Sequence, residues 1–365
     1  MVARRVITLG LAALLASMGA VRFSEPVRAQ ELSPTLSEAE LYEGAKKERG
    51  AIIVTGMPVA IAKIIAGDFQ KKYPGVTLDV IYLVGLELYQ RFQLENKNNQ
   101  HLTDVLHIND YPSMKSLVEE GAIANWRVPS AEKFGKYRIG DAAYSLYFTD
   151  VVTMYNETHV SEEEAKRLED WKWAIDPHFT GRFGVTTQRC STCYAPMQVF
   201  LDPEQAKNGF GWDFLGKVAG NGPQVYRNTD FMGDRVAAGE KDIAFSEAEG
   251  YAFGQRYRGA PVRWKIPSPA PSFPNAWIGV AKNAPHPYTA RLYLNWITSA
   301  EGARELQEKY GARTINSDVP DGRAVTKEPW YSRNVTYYPV DFERWAKEQT
   351  SVMSKWEALV REKAN

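Results

Sequence analysis

Apolar residues along the chain form two kinds of pattern that alternate with each other. The run AIIVTGM at 51–57 is continuous and rich in β-branched residues, which is typical of a buried strand. Residues 58–75 carry apolar side chains at helical spacing and end at a Pro-Gly pair, and VTLDVIYL at 76–83 predicts a second strand. This strand–helix–strand succession predicts a parallel sheet with right-handed crossovers.

The same alternation continues along most of the chain, and it ends with a long amphipathic helix at 341–364. Two long β-type segments, 144–156 and 262–282, divide the succession and are the expected crossovers between two lobes. The sequence therefore predicts an α/β fold with two open sheets. A ligand cleft is expected at the carboxyl ends of their strands.

The crossovers set the expected domain boundaries. Residues 30–148 together with 272–330 are expected to form lobe 1, and 149–271 to form lobe 2. Residues 331–365 are expected to be a C-terminal helical extension that packs on the lobes. Residues 1–29 combine a basic start, an apolar stretch and small residues at the end, which predicts a cleaved secretory signal peptide and a periplasmic location.

Charge and motif content exclude several functional classes. The 44 Lys and Arg residues balance 44 Asp and Glu residues, so neither a nucleic acid nor a membrane surface is an expected partner. The five histidines show no zinc-hydrolase spacing, and the sequence has no G-x-S-x-G and no Walker A motif. No metal or cofactor site is therefore predicted.

Cys190 and Cys193 are the only cysteines, and they form a C-x-x-C motif within VTTQRCSTCYAP. Because a helix N-terminus lowers the pKa of a thiol, the pair is compatible with an exported thiol–disulfide oxidoreductase. No thioredoxin-like pattern surrounds it, and an oxidising compartment favours a local disulfide. We predict a disulfide that fixes the shape of this loop, with the oxidoreductase as an alternative.

Several stretches resemble the periplasmic solute-binding proteins of ABC importers, in the group of ferric-ion, phosphonate, sugar-phosphate and polyamine binders (extracellular solute-binding family 1). They include FQKKYPGVTLDV, TDVLHINDYPSMKSLVEEGAI, RVAAGEKDIAF and KNAPHPYTARLYLNWITSAEG. The resemblance implies the type II periplasmic-binding fold, in which two crossover strands join the lobes. It also implies no catalysis, a small-molecule ligand, and a permease and an ATPase as partners. We expect a monomer without a cofactor. A sensory role in place of transport stays open.

Loops that follow the strands are expected to face the cleft, where backbone N–H groups at helix starts favour anions or polar oxygens. Arg189 is a candidate clamp for a carboxylate or phosphate, with a surface position as the alternative. For Thr55, Asp110 and Asn228 the alternative is a helix cap, and for Trp277 it is the core. The full set of expected ligand-binding residues is Thr55, Gly56, Met57, Asp110, Tyr111, Arg189, Ser191, Thr192, Asn228, Ser246, Glu247, Tyr251, Phe273 and Trp277.

The positions of the tyrosines help to distinguish a ferric-iron ligand from an organic one. Ferric-ion binders of the group that this chain resembles hold Fe³⁺ with phenolates, typically from a tandem Tyr pair in the second lobe. The matching region, SEAEGYAFGQRY, has Tyr251 without a tandem partner. We therefore predict a small organic anion, such as a phosphonate, a phosphate ester or a carboxylate, with ferric iron as the alternative.

Overall fold

The computed structural model describes residues 32, 33, 35–83 and 85–364 of the 365-residue chain. The predicted signal peptide at 1–29 lies outside these residues. Helices and strands alternate along the described chain, as the apolar pattern predicts, around a twelve-stranded sheet. None of the helices in the described ranges is long and apolar enough to cross a membrane.

The first half of the chain supplies the strand–helix repeats predicted from its apolar runs. Its elements are α1 (Glu38–Glu48), β1 (Gly50–Thr55), α2 (Val59–Lys72), β2 (Thr77–Tyr82), α3 (Gly85–Lys97), β3 (Val105–Ile108), α4 (Tyr111–Glu119), β4 (Arg138–Ile139) and β5 (Ala143–Asn156). A 3₁₀ helix covers Ala131–Phe134.

The middle of the chain continues with shorter elements. They are α5 (Glu162–Arg167), β6 (Phe183–Thr186), α6 (Ser191–Phe200), α7 (Pro203–Ala206), α8 (Trp212–Gly220), β7 (Gln224–Tyr226), α9 (Thr229–Ala237), β8 (Ile243–Ala248), α10 (Glu249–Tyr257), β9 (Val262–Lys265) and β10 (Ala270–Val280). Two further 3₁₀ helices cover Trp171–Ile175 and Pro177–Phe179.

The last part of the chain returns to the first half and then forms the C-terminal extension. Its elements are α11 (Pro287–Ile297), α12 (Ala300–Tyr310), β11 (Arg313–Thr314), β12 (Tyr337–Pro339) and α13 (Phe342–Ala364), with a 3₁₀ helix at Ala324–Lys327.

The sheet has the strand order β2-β1-β3-β10-β5-β8-β6-β7. The outer strands β2, β1 and β3 are parallel, and so are β8, β6 and β7 at the other end. Between them β10 and β5 run antiparallel to each other and to their outer neighbours. These two long strands join the two parallel sets, so the predicted two-lobed α/β fold with two crossover strands is confirmed.

The second crossover differs in detail from its prediction. Residues 262–282 form two strands, β9 and β10, where one continuous segment was expected. β9 pairs with β5, and β10 begins after two prolines, Pro267 and Pro269. Because proline has no N–H to donate to a strand ladder, the chain leaves the sheet there.

Hydrophobic cores lie on both sides of the crossover strands. One cluster joins buried residues between 41 and 147 with residues between 276 and 315, and we call this half lobe 1. Two further clusters contain buried residues between 151 and 273, and we call this half lobe 2. The predicted lobe boundaries, at 148 and 272, lie within β5 and β10.

The C-terminal extension, residues 331–364, packs mainly on lobe 2. Trp345 and Trp356 of α13 are buried in the lobe 2 core, and Trp356 Nε1 donates to the Thr186 carbonyl at 3.0 Å. At its start, Phe342 contacts Tyr111 of lobe 1, with 4.7 Å between the ring centroids. The extension therefore touches both lobes.

Candidate ligand-binding cleft

The lobe 1 wall of the cleft is built where β1 and β3 end side by side. Thr55 Oγ1 lies 2.7 Å from His107 Nδ1 and accepts a hydrogen bond from the Met57 N–H at 3.0 Å. The Gly56 N–H donates to the His107 carbonyl, and Asn109 Nδ2 donates to the Gly56 carbonyl at 3.1 Å. Parallel strands bring these loops together, because their carboxyl ends share one sheet edge.

His107 is buried within this wall. Burial lowers its pKa to about 4, so the ring is neutral at physiological pH. Its Nε2 has no hydrogen-bond partner among the described residues, and neither does Asn109 Oδ1. His107 and Asn109 therefore bring polar but uncharged groups to this edge.

The lobe 2 wall includes the loop that contains both cysteines. Cys190 and Cys193 form a disulfide with a Cα–Cα distance of 5.1 Å, which confirms the predicted bond. Cys190 is also the N-cap of α6, since its sulfur accepts from the Cys193 N–H at 3.2 Å. Thr192 is buried beside it, with Oγ1 3.3 Å from Cys190 Sγ. The disulfide thus fixes the helix start that faces lobe 1.

A hydrogen bond between described residues joins the two walls. Ser191, the first residue of α6, donates its hydroxyl to the Asn109 carbonyl at 3.1 Å. Asn109 follows β3 in lobe 1, whereas Ser191 belongs to lobe 2. This hydrogen bond therefore joins the two lobes across the cleft.

Lobe 2 also carries three acidic residues at this edge, Glu247, Asp230 and Asp234, which we call the cleft carboxylates. Glu247 is 1% exposed; its Oε1 accepts from the Ala248 N–H at 2.8 Å, and its Oε2 has no partner among the described residues. Burial raises the pKa of Glu247 well above its usual value, and the charges of Asp230 and Asp234 raise it further. A buried carboxylate is normally paired with a cation, whereas the charged groups that act on this one among the described residues are two acids.

Tyrosines surround the cleft carboxylates. Tyr251 donates its hydroxyl to Asp234 Oδ1 at 2.5 Å. Burial and the charge of Asp230 raise the pKa of two lobe 1 tyrosines, Tyr82 and Tyr310, in the latter case to about 12. Lobe 1 tyrosines therefore lie within electrostatic reach of lobe 2 carboxylates, as expected for groups on opposite walls of one cleft.

Several predicted ligand-binding side chains already have other partners. Asp110 caps α4 by accepting from the Ser113 N–H, and Asn228 caps α9 by accepting from the Phe231 N–H. The Arg189 guanidinium donates to Ser354 Oγ of α13 at 3.0 Å. For Asp110 and Asn228, the structure therefore shows the capping alternative, and it places the Arg189 head group on the C-terminal extension.

The other predicted side chains are buried in different places. Phe273 packs in lobe 2 against Trp345, with 5.4 Å between the ring centroids. Trp277, on the crossover strand β10, packs against Tyr111, with 4.9 Å between the ring centroids. Met57 and Ser246 are buried near the strand ends. The structure thus brings Thr55, Gly56, Ser191 and Glu247 to the facing walls, whereas Phe273 packs in the lobe 2 core.

Six residues of the cleft were missed in the sequence: Tyr82, His107, Asn109, Asp230, Asp234 and Tyr310. Asn109 directly precedes the predicted Asp110 in HINDYPS, and Asp230 lies two residues after the predicted Asn228 in YRNTD, so their positions were a detectable signal. Tyr310 ends a helix far along the chain, and only the folded topology brings it to α10. There its ring lies 3.3 Å from where a Cβ on Gly250 would be.

Within the described ranges, no set of three or more His, Cys, Asp or Glu side chains is arranged to hold a metal ion. Among the cleft carboxylates, Asp234 accepts a hydrogen bond from Tyr251, and Glu247 has one oxygen without a partner in the described ranges. Their chemistry suits recognition of a hydrogen-bond donor or a positive charge.

Comparison with solved structures gives the fold. The substrate-binding protein of an ABC transporter from Agrobacterium tumefaciens is 17% identical, with a TM-score of 0.68 over 86% of this chain and 94% of that chain. The periplasmic binding protein AfuA from Actinobacillus pleuropneumoniae, with fructose-6-phosphate bound, is 18% identical, with a TM-score of 0.66 over 86% and 99%. Iron-bound HitA from Pseudomonas aeruginosa is 16% identical, with a TM-score of 0.64 over 87% and 99%. The fold is therefore that of periplasmic binding proteins.

Sequence comparison gives the family. An uncharacterized protein of Haemophilus influenzae is 24% identical over 191 residues, which is 51% of this chain and 53% of that relative, so the match spans about half of its length. The profile of the bacterial extracellular solute-binding proteins matches residues 65–334, most of the chain. The chain therefore belongs to the bacterial extracellular solute-binding protein family.

Proposed function

We propose that this protein is the periplasmic solute-binding component of an ABC importer. Its lobes close on a small solute and present it to a membrane permease with its ATPase, without chemical change to the solute. The family membership and the hydrogen bond between Ser191 and Asn109 support this role. The protein acts as a monomer, and no nucleic acid takes part.

For the solute, the cleft favours an amine-bearing organic cation. The observation that carries this proposal is Glu247, which is buried and has one oxygen without a partner in the described part of the chain. The charges that act on it there are those of Asp230 and Asp234. An ammonium group beside Glu247 supplies the missing positive charge and the missing hydrogen bonds at once. The tyrosines around it suit the same ligand, since aromatic faces attract cations.

This ligand class replaces the organic anion expected from the sequence. Arg189, the candidate clamp for an anion, donates to Ser354 outside the cleft. The helix N-termini also have fewer free amides than expected, because side chains cap α4, α6 and α9. An anion would lie beside the cleft carboxylates with little to offset the repulsion.

Iron remains the competing cargo, because phenolate and carboxylate oxygens are ligands that Fe³⁺ prefers. The raised pKa values of Tyr82, Tyr251 and Tyr310 oppose it, since iron binding requires these hydroxyls to lose their protons. A cationic amine needs no such ionisation.

Calorimetry on the purified protein tests the proposal. The probes are spermidine, putrescine and L-arginine as cations, glucose 6-phosphate and phosphonoacetate as anions, and ferric citrate for iron. We expect saturable binding of at least one amine. We expect Glu247→Gln to weaken it by about tenfold or more, which is about 1.4 kcal/mol or more.

The matched control is Glu163→Gln, which removes an exposed carboxylate on α5 and leaves the cleft unchanged. Tight binding of an anion with no amine binding would contradict the proposed ligand class and leave the importer role in place. Tight iron binding with a phenolate charge-transfer band would do the same in favour of iron. If none of these probes binds and no solute co-purifies, the binding role itself fails.

A further inference from the structure

A second cavity lies beside the crossover strands, and we call it the crossover pocket. It has a volume of about 500 Å³, within the usual range of small-molecule sites. Its walls come from three parts of the chain: Tyr111 and Lys136 of lobe 1, Phe148 of β5, and Phe342 of the C-terminal extension. None of the cleft carboxylates lines it.

The walls of the crossover pocket are largely aromatic. Tyr111 packs between Trp277 and Phe342, with centroid distances of 4.9 and 4.7 Å. Across the pocket Phe148 meets Tyr137 edge to face at 5.0 Å. Rings held in this way form fixed surfaces for a flat apolar ligand, because aromatic pairs favour stacked and edge-on contacts.

The charged groups of the crossover pocket are both cationic. Lys136 is exposed, lies over the Tyr137 ring and forms no ion pair with a described residue. Arg313 stacks on Phe148 at 4.2 Å and uses Nε and Nη2 for Asp150 and Ser272, but its Nη1 makes no hydrogen bond to the described residues. No acidic residue is among the described residues that line the pocket.

Trp277 adds an unused hydrogen-bond donor. It lines the same pocket, is 2% exposed, and its Nε1 has no partner in the described part of the chain. Buried indole N–H groups normally find a partner. An acceptor oxygen is therefore the complementary group for this wall.

We infer that the crossover pocket is a second binding site, separate from the cleft, for a small planar aromatic carboxylate. The ring stacks between the aromatic walls, and the carboxylate lies toward Lys136 and Arg313 Nη1. Because the walls come from lobe 1, from a crossover strand and from the extension on lobe 2, a ligand here holds the two lobes in this arrangement. Occupancy is thereby linked to closure of the cleft.

The test uses calorimetry on the purified protein with indole-3-acetate and 4-hydroxybenzoate. Their uncharged amides, indole-3-acetamide and 4-hydroxybenzamide, have the same rings without the carboxylate. We expect saturable binding of at least one acid and binding of its amide that is weaker by about tenfold. Lys136→Met is expected to weaken acid binding to a similar extent.

A control variant locates the site. Lys166→Met removes an exposed lysine of lobe 2 and should leave the affinity for the acid unchanged. Failure of both acids to show saturable binding at millimolar concentration would overturn the inference. So would acid binding that is insensitive to Lys136→Met, or acid binding that weakens equally in Lys136→Met and Lys166→Met.

Discussion

At the scale of the residue, Glu247 is the group whose protonation makes the cleft sensitive to pH. Its carboxyl is buried beside Asp230 and Asp234, and one oxygen has no partner in the described ranges. Burial and the two negative charges both favour the protonated form. A proton therefore competes with the proposed ammonium ligand for this carboxyl group.

This residue makes stability depend on pH in a defined direction. The folded-state pKa of Glu247 is raised above the usual 4.5, so the folded state binds more protons than the unfolded state above pH 4.5. The free energy of unfolding must then fall as pH rises from about 4.5 toward the raised pKa. We expect Glu247→Gln to reduce this slope and to be more stable than the natural protein at pH 7, as measured by urea unfolding at several pH values.

The same unfolding series contains its own control. Glu163→Gln, at an exposed position on α5, should follow the pH dependence of the natural protein. If the free energy of unfolding of Glu247→Gln depended on pH as steeply as that of the natural protein, Glu247 would be ionised in the free protein. That result would contradict the raised pKa of this residue.

At the scale of the element, the start of α6 combines a cap and a disulfide. Cys190 Sγ accepts from the Cys193 N–H, and the two sulfurs are bonded to each other. The loop places Ser191 against Asn109, so its shape is tied to the contact between the lobes. These observations indicate a structural brace for the cleft wall.

The double variant Cys190→Ser/Cys193→Ser tests this brace. Serine at position 190 is itself a good N-cap, so the change isolates the loss of the disulfide. We expect a loss of about 2 kcal/mol or less in the free energy of unfolding, because the closed loop is very short. Insulin reduction by the natural protein, abolished in this variant, would instead support the oxidoreductase alternative.

The elements themselves were largely predictable from the sequence. The Ser37 capping box with Glu40 and the β-branched runs are local signals, and the structure contains the corresponding elements. The division of 262–282 into β9 and β10 was harder to predict from the sequence. It depends on the separate pairing of each strand with β5, which is a contact between distant segments. Tyr310 and the Glu247 environment could not be predicted, because both arise from contacts between segments far apart in the chain.

At the scale of the whole molecule, an ion cluster joins the crossover strands to the C-terminal extension. Asp150 of β5 is buried and accepts from Arg313 and from Arg333 of the extension, at 2.7 and 2.8 Å. Burial alone would raise the pKa of Asp150, but the two guanidinium groups lower it to about 2. The cluster therefore fixes the extension to the crossover.

Asp150→Asn should be strongly destabilising, by about 3–5 kcal/mol, because it leaves two partly buried cations without their carboxylate. The stabilisation from Asp150 is present above its unfolded pKa of about 3.8 and is lost as pH falls toward 2. Urea unfolding at pH 7 and pH 3 should show a smaller difference between the variant and the natural protein at pH 3. An equal difference at both values would contradict the ion-cluster account.

The whole fold places the cleft walls of lobe 1 and lobe 2 opposite each other, and we propose that one solute binds between them. Native mass spectrometry of the protein purified without denaturation from the periplasm tests this most directly, followed by release and identification of any bound small molecule. The account predicts one amine-bearing cation per chain, absent from Glu247→Gln and retained in Glu163→Gln. A co-purified phosphate ester, carboxylate or iron ion that survives Glu247→Gln would contradict it.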